Sequence, residues 1–106
     1  MDEKTIQEKL LKIGIMPNVK GYRYWVKAIL LVKKDPSLQE SITKGLYPKV
    51  AKEMGTTGTR VERALRHAIE MAYNQGNEEY KKIFGYCGDR KPKNSEALVV
   101  LGMSFE

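Results

Sequence analysis

The chain has 106 residues, 42% of them hydrophobic, a net charge of +6 and a pI near 9.4. That is enough for one domain with a modest single core, and the basic balance favours a polyanionic partner. A lone cysteine, Cys87, excludes an internal disulfide and suits a reducing compartment. The polar start MDEKTIQEKL is unlike a signal peptide, and no apolar run approaches the ~20 residues needed to cross a bilayer. A cytoplasmic protein with no membrane contact is the expectation.

Taken in order, Ile6, Leu10, Leu11 and Ile13 predict a first amphipathic helix ending near Gly14 and Pro17. A second helix is predicted from about Gly21 to Lys33. It is apolar nearly all round, through Trp25, Val26, Ala28 and Ile29 to Val32, as a central buried helix should be. Asp35-Pro36 reads as a cap and a first-position proline, opening a third helix through Leu38 and Ile42.

The stretch Tyr47–Gly76 organises the rest. Pro48 starts a short helix with an apolar stripe at Val50, Ala51 and Met54, and Gly55 ends it. Thr56 or Thr57 can cap a longer helix over residues 58–75. Its apolar face is Val61, Ala64, Leu65, Ala68, Ile69 and Ala72. Its other face carries Thr59, Arg63, Arg66, His67, Glu70 and Asn74, flanked by Arg60 and Glu62. A short helix, a tight turn and a longer helix is the build of a helix-turn-helix, whose second helix enters the major groove of DNA.

Asn77 can cap a further helix with Glu78 and Glu79 in its first turn and Lys81 and Lys82 near its end, in keeping with the helix dipole; Gly85 stops it. The segment 87–93, CGDRKPK, reads as a loop. Asn94 or Ser95 can cap a last helix over Ala97–Met103, although Val99 and Val100 are also compatible with a strand. No alternating strand pattern, repeat or low-complexity linker occurs elsewhere. The expected fold is all-α, a compact bundle of about six to seven helices forming a single domain over residues 1–106.

Several segments carry a resemblance: VKGYRYWVKAI at 19–29, SITKGLYPKVAK at 41–52, TRVERALRHAIEMA at 59–72, FGY at 84–86 and NSE at 94–96. Over roughly residues 8 to 98 the chain resembles the C-terminal DNA-binding effector domain of the stage zero sporulation protein A family, response regulators of endospore formation. The resemblance implies a helical bundle around a helix-turn-helix. It also implies a transcription factor that binds G·C-containing boxes as tandem copies, pairing as a dimer on DNA, and that touches the RNA polymerase sigma factor. The receiver domain of full-length members has no counterpart in this sequence, and the tail LVVLGMSFE departs from the family's more charged last helix.

The chemistry of the site follows from residue type. Guanine offers two acceptors in the major groove, and the rigid fork of arginine matches them. Arg60 and Arg63 lie in the first turns of the longer helix, where base contacts are made, and Glu62 can accept from a cytosine amino group. Thr59 and His67 complete the expected base-contacting set. Lys44, Lys49 and Lys52 around the first helix, Thr56 and Thr57 at the turn, and Arg66 one turn further on are expected at phosphates. Glu78, Glu79, Lys81 and Lys82 form a polar surface in the region where the resemblance suggests a sigma-factor contact.

Blander readings stand beside these. The basic face can be a solvated face, His67 can simply meet water, and Tyr22, Tyr24 and Trp25 suit a core better than stacking platforms for single strands. One histidine and one cysteine supply no zinc set. GTTGTR at 55–60 lacks the ending of a phosphate loop, and no paired carboxylates suggest an enzyme. The expectation is a sequence-specific double-stranded DNA-binding regulator without a cofactor, metal or catalytic activity. A protein-interaction module with weak or lost DNA specificity is the alternative; single-stranded RNA binding would want exposed aromatics on a sheet.

Overall fold

A computed structural model describes residues 3–104. The first two residues of the polar start and the last two of the tail lie outside the described residues. Six α-helices follow in order: α1 Glu3–Lys12, α2 Lys20–Lys34, α3 Tyr47–Met54, α4 Gly58–Gln75, α5 Glu78–Phe84 and α6 Asn94–Ser104. There is no strand among the described residues.

α2 is the axis of the bundle and packs on α1, α3, α4 and α6. Trp25, Ala28 and Ile29 are fully buried at its centre, and Tyr22 and Tyr24 are buried near its start. The three aromatics of the second helix therefore belong to the core, and no stacking surface is formed. Ile6 and Leu10 of α1, Leu65 and Ile69 of α4, Phe84 of α5 and Leu101 of α6 close around the same centre. Among the described residues no polar or charged residue is classed as buried. Apolar burial, worth roughly 25 cal/mol per Å², is thus the main force holding the helices together.

Two boundaries differ from the sequence reading. The predicted helix through Leu38 and Ile42 is instead a 3-10 helix, Pro36–Glu40, followed by a π-helical turn, Ile42–Leu46, that runs into α3. Asp35 does cap the first piece, accepting from the Ser37 amide at 3.2 Å and from the Ser37 hydroxyl at 2.6 Å. The break falls at Ser41, whose extended-side backbone (φ −137°, ψ 64°) cannot continue a helix. Further on, α6 begins at Asn94 itself, so neither Asn94 nor Ser95 is its cap. Glu96 reaches back to the Lys93 amide at 3.0 Å, which is one half of a capping box with Lys93 at the cap position. Val99 and Val100 lie in helix.

The α3–α4 corner is built as its residues predict. Gly55 is left-handed (φ 69°), and both its amide and that of Thr56 bond to the Ala51 carbonyl, the bonding that terminates a helix at glycine. Thr57, in extended conformation, caps α4 by accepting from the Arg60 amide at 3.3 Å. A helix, a three-residue turn and a longer helix follow one another in the order a helix-turn-helix requires.

Candidate nucleic-acid interface

α4 shows three faces. Val61, Leu65, Ala68, Ile69 and Ala72 are buried against the bundle. Thr59, Arg60, Arg63, Arg66 and His67 are exposed. Helical spacing puts Arg63 farthest from the core, with Arg60 and His67 on one flank and Thr59, Glu62 and Arg66 on the other. Among the described residues, the side chains of Arg60, Arg63 and His67 have no hydrogen-bond or ion-pair partner.

Clefts border both flanks. On one side, a space of about 670 Å³ lies between residues 18–24 and α4, with Arg60, Arg63 and His67 on its α4 wall. On the other, a space of about 490 Å³ lies against the loop before α6, with Arg66, Lys91 and Lys93 in its lining. In the second, two of the three cations are paired. Glu62 pairs with Arg66 at 3.1 Å, and Glu70 pairs with Lys91 at 3.0 Å. The Lys91 bond and charge hold the Glu70 carboxyl below its ordinary pKa.

Several of the predicted site residues have internal engagements. Glu62 is committed to Arg66, so neither side chain is free as the sequence reading had it. The exposed pair is worth only about 0.3–0.5 kcal/mol, and DNA can compete for either member. The Thr56 amide is taken by Ala51 and is no phosphate donor, whereas the Thr57 hydroxyl can still donate while it accepts from Arg60. Lys44, in the π-helical turn, and Lys49 and Lys52, on α3, are all exposed.

The positioning of α4 depends on residues to which the sequence reading gave no part in it. Asn94 donates to the Tyr47 hydroxyl at 3.1 Å and to the Glu62 carbonyl at 3.2 Å, joining α6 to both α3 and α4. Its spacing gave no signal, because a helix-start asparagine reads as a cap. Gly21 lets α2 touch α4: a Cβ there would lie 2.3 Å from the Ala64 carbonyl oxygen and 2.6 Å from the Ala68 Cβ. Ala64 and Ala68, one turn apart, are the sequence trace of that close crossing.

The family described as Sporulation initiation factor Spo0A C terminal matches residues 6–104, nearly the whole chain. The chain belongs to this family. It is therefore a Spo0A C-terminal effector domain, of the kind associated with sporulation, DNA binding and transcription regulation. The match spans every element from within α1 to the end of α6, and so takes in both the corner and the helices that brace it.

On α5 of this Spo0A-type domain, Asn77 caps through its side chain, accepting from the Tyr80 amide at 2.8 Å. Glu78, Lys81 and Lys82 are exposed, and Glu79 pairs with Lys82 at 3.3 Å. Among the described residues no group of three or more His, Cys, Asp or Glu side chains is placed to hold a metal ion. No described helix is long and apolar enough to cross a membrane.

Proposed function

We propose that this domain is a sequence-specific regulator of transcription that lays α4 in the major groove of double-stranded DNA. One observation carries the reading: Arg60 and Arg63 are exposed on the first turns of α4 and pair with no carboxylate among the described residues. Guanidinium groups left unpaired at the start of an exposed helix are suited to guanine edges. Arg60 and Arg63 supply most of the discrimination. Thr59 and His67 border them, and Glu62 reads a cytosine once Arg66 turns to a phosphate. Lys44, Lys49, Lys52, Thr56 and Thr57 set the register on the backbone, Thr56 through its hydroxyl.

The α5 surface of Glu78, Glu79, Lys81 and Lys82 is the proposed docking face for sigma factor, and tandem pairing on adjacent boxes is the proposed mode of assembly. The whole chain acts as one effector unit.

Gel-shift titrations on a family-type G·C-containing box and a scrambled duplex test the assignment. Arg60→Ala and Arg63→Ala should each cost about 1–3 kcal/mol on the preferred site and relax choice at one base pair. Lys49→Ala should weaken both duplexes alike and flatten the salt dependence. Equal losses on both duplexes for all three variants defeat the division of roles. A shallow salt dependence with no preference between duplexes would favour a protein-docking module instead.

A further inference from the structure

The cleft between the start of α2 and the first turns of α4 differs from the one on the opposite flank in a single respect that matters. Lys20, Arg60, Arg63 and His67 line it, and no aspartate or glutamate does. None of the four has an ion-pair partner among the described residues. The opposite cleft holds two carboxylates that neutralise two of its cations. Like charges gathered in a concave space raise the local potential and draw an anion.

The backbone adds to this. α2 starts after Val19, an extended residue whose side chain offers no cap, so the amide end of a 15-residue helix opens beside these cations. Gly21 fixes the spacing, because its missing side chain lets the start of α2 lie against the Ala64 carbonyl.

We propose that this cleft seats one DNA backbone phosphate, with the Lys20 ammonium and the amides of Lys20 and Gly21 as ligands; the next amide, of Tyr22, is already bonded to the Val19 carbonyl. The proposal rests on α4 entering the major groove and deepens that reading. The strand bordering the groove on the α2 side passes this flank of α4, so α2 becomes a second clamp that fixes how α4 lies. Lys20 is a positioning residue and carries no base information.

Lys20 is exposed and makes no ion pair among the described residues, so Lys20→Ala should leave the thermal midpoint unchanged. Its affinity is measured against potassium chloride on the preferred and scrambled duplexes, beside Arg63→Ala. The expected result is a similar loss on both duplexes and a salt slope shallower by about one unit. A set of preferred duplexes, each with one phosphate replaced by a neutral methylphosphonate, then locates the partner. At one position the replacement should weaken the wild type and leave Lys20→Ala unaffected.

A Lys20→Ala variant with wild-type slope and affinity, while Arg63→Ala still loses the preferred site, overturns the clamp and leaves the reading of α4 standing. If Arg63→Ala is silent as well, the reading of α4 fails and the clamp falls with it. A variant that changes only the response to added inorganic phosphate, at constant ionic strength, shows a small-anion seat and also overturns the proposal.

Discussion

The indole nitrogen of Trp25 donates a 3.0 Å hydrogen bond to the carbonyl of Leu65, fastening the middle of α2 to the middle of α4. Trp25 is fully buried, and a buried indole N–H needs such an acceptor. The bond joins the two helices inside the core, where the buried side chains of Val61, Leu65, Ala68 and Ile69 already fix which side of α4 faces outward. Trp25→Phe should lower stability by about 1–3 kcal/mol through lost volume and the lost bond, read from urea denaturation. Affinity for DNA, measured well below the unfolding transition, should change far less.

Gly21 and Gly102 should respond to alanine in opposite directions. At Gly21 the new Cβ meets backbone at 2.3 Å, which no rotamer change relieves. Gly21→Ala should cost about 1–3 kcal/mol or more and should weaken binding to every duplex by displacing α2. At Gly102, inside α6, nothing among the described residues lies within 4 Å of an added Cβ. Gly102→Ala should add up to about 1 kcal/mol of stability, because alanine loses less backbone freedom in a helix. Denaturation midpoints of the two variants check both signs.

Acid should loosen the start of α6 through Glu96. Its carboxylate accepts from Arg90 at 2.7 and 3.0 Å and from the Lys93 amide at 3.0 Å. The Arg90 bonds first, and the Lys93 amide second, pull its pKa down to about 2. A carboxyl depressed on folding contributes stability above its unfolded value, and that stability is lost as pH falls from about 4.5 toward 2. The stability gap between wild type and Glu96→Gln should therefore be full at pH 6 and shrink across that window. A gap that stays constant would place the Glu96 contribution elsewhere.

Tyr80 is buried against Tyr73 and Phe84, and its hydroxyl has no hydrogen-bond partner among the described residues. Burial, the largest cause, pushes its pKa up to about 12. An acid whose pKa is raised on folding keeps its contribution below the unfolded value and loses it as pH rises from about 10 through 12. Tyr80→Phe removes an unsatisfied polar atom and should be neutral or stabilising by up to about 1 kcal/mol near pH 7. It should also remove part of the alkaline loss of stability, read as a change in thermal midpoint between pH 9 and pH 11.

Thr57→Ala should lower stability by about 1 kcal/mol, since the Arg60 amide loses its side-chain acceptor. Thr56→Ala should have a smaller effect, because the Thr56 side chain makes no cap. A larger loss at position 56 would reverse the assignment of the cap.

The elements with strong local signals were readable without coordinates. Pro48, Gly55 and Thr57 each act through their own backbone or the adjacent turn, and Asn77 caps α5 for the same reason, whereas Gly85 stays right-handed (φ −59°) and carries the chain on into a 3-10 turn, Gly85–Cys87. The apolar wheel of residues 61–72 required one buried side of α4, and that side is where the periodicity put it. The misses arise where a local signal competes with a distant one. Asn94 is a good cap in isolation, but its amide is drawn to Tyr47, 47 residues away in sequence. The segment 36–46 has the composition of one helix, yet it must turn at Ser41 to bring Leu38 and Leu46 both into the core. Glu62 was legible as an acceptor, while the choice between Arg66 and a base is a matter of geometry. The charge asymmetry between the two clefts depends on which loops border α4, which no spacing rule supplies.

The position of Asn94 bears on how shortened forms of the protein are interpreted. Its amide holds the Tyr47 hydroxyl and a peptide oxygen of α4 at once, from the first turn of the last helix. A nested deletion series from the carboxyl end should thus lose promoter occupancy even before this residue is reached, because the buried Leu101, Leu98 and Ala97 go first, although nothing removed need ever touch the operator. The failure would be that of a keystone taken from an arch, and point substitutions, not truncations, are the tool for separating what props the structure from what reads the text.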